Sequence, residues 1–143
     1  MENENNQIDI SPEEFREQKE FVELNEIYFQ AGDWYVNREN LVQNTNIKLN
    51  YEIECLKREK KQFKCRAKFK LQGMSENKDE KFIEINCNLM VEAFAKKEVS
   101  ENFWKAYEEM TVPILTVPYF REHVFSLTGK MGIPPIRVPH WTP

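Results

Sequence analysis

Ile47-Lys48-Leu49-Asn50-Tyr51-Glu52-Ile53-Glu54-Cys55 alternates apolar and polar side chains without a break. A strand turns successive side chains to opposite faces, so this period of two predicts a strand with one buried face. Phe63, Cys65, Ala67, Phe69 and Leu71 alternate in the same way with Lys64, Arg66, Lys68 and Lys70, and Ile83, Ile85, Cys87, Leu89, Val91 and Ala93 repeat the pattern. Three successive strands therefore present odd-numbered residues to one core. The linkers from Lys57 to Lys61 and from Gly73 to Glu80 are polar and short enough to close antiparallel hairpins. If Glu54 opposes Lys64, Glu52 opposes Arg66; such pairs add about 0.2–1 kcal/mol each, and hydrophobic parity does most to set the register.

Working outward, Phe21 to Gln30 predicts an earlier strand. Val22, Leu24, Ile27, Tyr28 and Phe29 break the alternation midway, as a bulge or a strand buried on both faces would. Ala31 to Asn40, which carries Trp34 and Tyr35, is too long for a tight hairpin and reads as a crossing connection. After Ala95 the period becomes helical, with Ser100 as N-cap and Phe103, Trp104, Tyr107 and Met110 as an apolar stripe that Pro113 ends or bends. A second helix is expected from Pro118 to Thr128, since a proline in the first turn loses no hydrogen bond. Phe120, Val124, Leu127 and Met131 share one side of it, while Tyr119 and Phe125 point elsewhere. Gly129 and Gly132 can take the left-handed turn that ends a helix, and Pro134 and Pro135 force an extended exit. The expected fold class is α+β: a four-stranded antiparallel sheet with a crossing connection between its first two strands, followed by two helices packed on one face.

The chain has 143 residues, 41% of them apolar, which suits one domain at residues 15–143 behind a flexible N-terminus at 1–14. A net charge of −4 argues against nucleic acid as a partner. Met1-Glu2-Asn3-Glu4-Asn5-Asn6-Gln7 has neither the basic start nor the apolar run of a secretory signal, and no later segment is apolar enough to insert in a bilayer. A cytoplasmic location is expected. Cys55, Cys65 and Cys87 are odd in number and lack CxxC spacing, which suits a reducing compartment.

Apolar residues exceed what one sheet face and two helices need. Phe82, Met90 and Phe94 fall on the otherwise polar parity of the last strand, and the second helix is apolar around most of its girth. Large exposed apolar patches mark interfaces or grooves, so self-association with a groove left over is expected. The plainer alternative is that Phe82 and Phe94, near the strand ends, pack under loops.

Pro118-Tyr119-Phe120-Arg121-Glu122, preceded by Ile114-Leu115, resembles the Pro-Tyr-Ala-Arg-Glu core of the SecB export chaperones. Gly132-Ile133-Pro134-Pro135 followed by Val138-Pro139 is similar to that family's ending, and Glu26-Ile27-Tyr28-Phe29-Gln30-Ala31 resembles the end of its first strand. The order of elements agrees from about residue 15 onward. The resemblance implies dimers that extend the sheet and a homotetrameric dimer of dimers with helices between the layers. It also implies an ATP-independent holdase for unfolded or nascent polypeptides in protein transport or export, with no cofactor. Clients of this kind are held by shallow apolar contacts and strand addition. The family's groove lies beside the crossing loop and second helix, making Trp34, Tyr35, Phe120, Val124 and Phe125 the candidate peptide-binding residues. Tyr119, His123, Phe125 and Leu127 are the corresponding oligomer-interface candidates. Each of the groove candidates could equally be core or interface.

Departures from the pattern are informative. Phe120 stands where the family has a small residue, which alters helix packing or fills part of the groove. The sequence stops at Pro143 without the family's C-terminal helix and acidic tail, and Lys64, Arg66, Lys68 and Lys70 make the third strand's outer face basic. Both features argue against coupling to the SecA motor. A dedicated partner-binding protein on the same fold, such as a chaperone or scaffold associated with a toxin–antitoxin pair, is the alternative.

Enzyme readings have little support. His123 and His140 are the only histidines, and a helical histidine at a subunit contact is commoner than a catalytic base without a partner. The cysteines share one parity and could gather around a metal, but core-facing strand thiols usually act as small apolar groups. The chain lacks a glycine-rich phosphate loop, a G-x-S-x-G elbow and a carboxylate motif.

Overall fold

The computed structural model describes residues 8–40, 45–75 and 80–138. Helix α1 spans Pro12–Lys19, strand β1 Val22–Val36 and a 3-10 turn Arg38–Asn40. Strands β2 (Thr45–Arg58), β3 (Gln62–Ser75) and β4 (Lys81–Ala95) follow, then α2 (Glu101–Ala106), a π-helical turn (Tyr107–Thr111) and α3 (Val112–Lys130). The expected antiparallel sheet is present, with strand order β1-β4-β3-β2, so β1 and β2 lie at opposite edges and their connection crosses the sheet.

β1 is longer than expected, and its irregularities explain the broken alternation. Phe29 pairs with Leu89 and Ala31 with Asn88, which leaves Gln30 as an extra residue and inverts the parity. Ile27 and Phe29 therefore share a face with Gly32, Trp34 and Val36, whose partners Cys87, Ile85 and Ile83 are core residues of β4. Trp34 and Tyr35 thus belong to the strand, not to the crossing connection. That connection begins at Asn37 and includes 41–44, outside the described residues.

In the β2–β3 hairpin Glu54 opposes Arg66 and Glu52 opposes Lys68, a shift from the expected Glu54–Lys64 pairing that preserves parity. β2 continues to Arg58 and carries an irregularity between Cys55 and Lys57, so the chain reverses later than the polar linker implied. The opposite-charge contacts survive the shift: Arg66 and Lys68 reach the Glu54 carboxylate at 2.9 and 3.1 Å. Lys64 meets Glu92 at 3.3 Å, so the basic stripe of β3 is set among carboxylates.

The helices correct the sequence reading most. Ser100 caps α2 as expected, accepting the Phe103 N–H at 3.0 Å. Pro113, however, sits in the first turn of α3, and Pro118 lies inside that helix rather than opening it. The π turn, in which Val112 N–H donates to the Tyr107 carbonyl, lets α2 run into α3. Pro118 and Ile114 are both exposed, so water can satisfy the carbonyl that Pro118 leaves without a donor. Gly132, at φ 74°, takes the left-handed turn after α3, whereas Gly129 remains helical. The tail then folds back along α3: Arg121 Nε donates to the Val138 carbonyl at 2.7 Å, and Ile133 and Val138 are buried.

Two connected patches form the core. Phe69, Leu71, Ile83, Ile85 and Leu89 pack beneath Val117, Phe120 and Val124 of α3. Phe63, Cys65, Val91 and Ala93 pack beneath Phe103, Trp104 and Tyr107, with Phe63 stacked on Trp104 at 5.2 Å. Phe82 joins the first patch, because Gly73 leaves room for its ring: a Cβ at Gly73 would lie 2.5 Å from it. Met90 is also buried, while Phe94 is exposed. The surplus apolar surface therefore lies mainly elsewhere, including Phe29, Trp34, Ile47, Met110, Ile114, Tyr119 and Phe125.

α1 begins within the segment expected to be flexible and runs past its end at residue 14. Ser11 accepts the Glu14 N–H at 3.1 Å, Pro12 takes the first turn, and Phe15 lies 5.2 Å from the Phe103 ring. Residues 1–7 of that segment, like His140, fall outside the described residues.

Candidate functional site

The bulge at Gln30 and the helical period of α3 create a cleft at the β1 edge. Phe29, Gly32 and Trp34 form its strand side, His123 and Leu127 its helix side, and Cys87 part of its floor, around a space of about 440 Å³. The Phe29 ring lies 5.1 Å from the His123 imidazole and 6.5 Å from the Tyr119 ring. Tyr119, His123 and Leu127 recur every fourth residue, a spacing that puts them on one helix face. They run along the β1 side of α3, beside the inward-facing Phe120 and Val124.

The cleft is chemically apolar at neutral pH. Burial, then the Lys130 ammonium, hold the His123 imidazole below its ordinary range, so it is neutral there. Burial pushes the Cys87 thiol up to about 12, which keeps it protonated. The Asp33 side chain, like that of Tyr35, turns to the other face of the sheet, where its carboxylate accepts a hydrogen bond from Asn86 Nδ2 at 2.8 Å. Because β1 is an edge strand, its outer N–H and C=O groups have no ladder partner among the described residues. An apolar cleft beside a free strand edge can receive alternate side chains of an extended segment while the backbones pair.

The sequence candidates do not converge on one groove. Trp34 lines the cleft and is 56% exposed. Tyr35, its neighbour on the strand, faces the other side of the sheet beneath the Lys81 ammonium, 5.4 Å from the ring centre. Phe120 and Val124 are fully buried, and Phe120 stacks on Phe69 at 4.5 Å, which puts both in the core of this chain, one of the alternatives the sequence left open. Phe125 is exposed, with the Arg137 guanidinium 5.8 Å from its ring. Of the interface candidates, Tyr119, His123 and Leu127 share the β1 side of α3, and Phe125 lies apart from them. Sequence reasoning missed Phe29, Gly32 and Cys87; the broken alternation before Gln30 was the one available signal for Phe29.

Among the described residues no group of three His, Cys, Asp or Glu side chains could hold a metal ion. Cys55 and Cys65 oppose each other across β2 and β3, but Cys87 opposes Phe69. No helix among the described residues is long and apolar enough to cross a membrane.

No family model and no curated protein matches the sequence. The fold does have a solved counterpart. A SecB-like chaperone from Mycobacterium tuberculosis, in complex with a peptide from an antitoxin, is similar with a TM-score of 0.73. It is 17% identical, and the match covers 89% of this chain and 96% of that one. A Streptococcus agalactiae protein of unknown function is similar at a TM-score of 0.46 and 9% identity, over 82% of this chain and 98% of its own. The chain thus has a divergent SecB-like fold.

Proposed function

We propose that this protein is a polypeptide-binding chaperone, an ATP-independent holdase that shields apolar segments of unfolded or nascent chains. The observation that carries the reading is the cleft of Phe29, Trp34, His123 and Leu127 beside the free edge of β1. The similar chaperone, solved with an antitoxin peptide, supports polypeptides as the ligand class. Holding a chain requires contact area and unpaired backbone groups, so the reading assigns no catalytic residue and no cofactor. Exposed Met110, Ile114, Tyr119 and Phe125 support assembly, for which we propose a homotetramer, a dimer of dimers; the location proposed with it is cytoplasmic. A purified preparation is expected to suppress aggregation of a refolding client without nucleotide. Unchanged aggregation at several-fold excess would sink this reading.

A second reading, a dedicated partner-binding chaperone, is favoured by the core position of Phe120. Filling that position leaves a short cleft bordered by α3, better matched to one defined segment than to many. The antitoxin peptide held by the similar chaperone points the same way. Such a protein has no need of SecA, and protein export is then not its role. Capture experiments separate the readings: a dedicated chaperone retains one partner from lysate and ignores a reduced, unfolded generic client, whereas a general holdase retains both.

A further inference from the structure

Cys55 and Cys65 face each other directly in the β2–β3 ladder. Opposed residues of antiparallel strands have Cα atoms about 4.5 or 5.5 Å apart, depending on whether the pair is hydrogen-bonded. Disulfides span Cα separations of about 4.4–6.8 Å, so either kind of pair meets the requirement. The two side chains also share a face, because the pair two positions along, Ile53 and Ala67, belongs to the core side of the hairpin. Cys55 is exposed on an edge strand, and Cys65 is fully buried beside it. The ladder irregularity between Cys55 and Lys57 gives the backbone there freedom to adapt to the dihedral angle of a disulfide. Cys87 opposes Phe69 and has no thiol across from it, which makes it an internal control.

We propose that Cys55 and Cys65 form a reversible cross-strand disulfide, with Cys55 as the entry thiol and Cys65 as the resolving thiol. The oxidant is a low-molecular-weight disulfide of the glutathione class. The Cys55 thiolate attacks one sulfur of that disulfide, forming a mixed disulfide and expelling a thiolate. Cys65 then gives up its proton and attacks the Cys55 sulfur, expelling the second thiolate. The protein loses two protons and two electrons, and the oxidant gains them as two thiols. Access decides the order, since an external disulfide reaches Cys55 and not the buried Cys65. Burial pushes both thiols above their ordinary range, the Cys65 thiol up to about 12 with the Glu108 carboxylate adding to it, so access rather than acidity sets the order. The bond joins the edge strand to β3 where their ladder is irregular, near Arg58, which binds Glu108 of the π turn at 2.9 Å. Oxidation would therefore fix the end of the hairpin that lies against that turn.

The test is native oxidation of the full chain with glutathione disulfide at mildly alkaline pH, followed by acid quenching, thiol titration and mass spectrometry of tryptic fragments. Titratable thiols are expected to fall from three to one, with residues 49–57 linked to residues 65–66, and dithiothreitol should restore all three. Cys65→Ser should stop at glutathione attached to Cys55. Cys55→Ser, a change at an exposed position, should keep both remaining thiols reduced, and Cys87→Ser should still form the bond. The proposal is overturned by wild-type protein that retains three thiols, that holds glutathione on Cys55 with Cys65 still reduced, or that links two copies instead of two strands.

Discussion

Phe29 and Trp34 face the same cleft although one is odd-numbered and the other even-numbered, because Gln30 is an extra residue between their ladder positions. Tyr35 follows Trp34 and so faces the opposite side. Alanine at Trp34 should weaken client binding by about 1–2 kcal/mol, roughly 5- to 30-fold, as loss of an aromatic anchor does. Alanine at Tyr35 should change it little. Fluorescence anisotropy with a labelled unfolded peptide measures both, and equal losses at the two positions would place clients somewhere other than this cleft.

Phe120 separates a core role from a groove role. Its ring is fully buried on Phe69, so Phe120→Ala should cost about 3–5 kcal/mol in stability, read from denaturant unfolding. A groove residue would instead lose affinity with stability nearly unchanged.

Gly73 is the counterpart of Phe82. A Cβ at Gly73 would meet the Phe82 ring at 2.5 Å and Ile83 Cγ2 at 2.7 Å, so Gly73→Ala should destabilise by about 1–3 kcal/mol through overpacking. Phe82→Leu added to Gly73→Ala should recover part of that loss, since it removes ring atoms from the crowded space. Thermal unfolding of the single and double variants provides the comparison, and strictly additive losses would contradict the account.

These positions also mark the limits of what the sequence disclosed. The strands were legible because Ile47 to Cys55, Phe63 to Leu71 and Ile83 to Ala93 keep one parity, and parity survives a register shift of two residues. The placement of Trp34 and Tyr35 was not, because a single extra residue inverts every face beyond it. Pro118 reads locally as a helix start, and only the exposure of that side of α3 shows why a proline is tolerated within the helix. Phe120 resembled a groove residue by family position, but its ring found Phe69, a contact between residues far apart in the chain.

His123 makes the cleft sensitive to pH. Burial and then Lys130 hold its folded-state affinity for protons below the ordinary value of 6.5. Between the folded and unfolded pKa values the unfolded chain binds more protons, so stability rises with pH and falls as the solution is acidified below about 6.5. The contribution is fully present above that value. Protonation would also place a cation beside Phe29, so apolar clients should bind more weakly in mild acid. His123→Gln should flatten both dependences relative to wild type across pH 5 to 7, and an unchanged slope would assign the effect to other groups.

Phe125 tests assembly independently of the cleft. It is 46% exposed on α3, apart from the stripe of Tyr119, His123 and Leu127 beside β1. If helices from two dimers meet across this side, Phe125→Asp places an unpaired carboxylate in an apolar contact, a penalty large enough to dissociate it. Light scattering should then show wild-type protein at several times the 17.2 kDa chain mass and the variant at a lower multiple. Unfolding of the separated variant should stay cooperative, because Phe125 lies outside the core patches around Phe69 and Trp104. Wild-type protein that remains at the chain mass at micromolar concentration would remove the need for any partner on this side and leave the exposed apolar residues of α3 to clients.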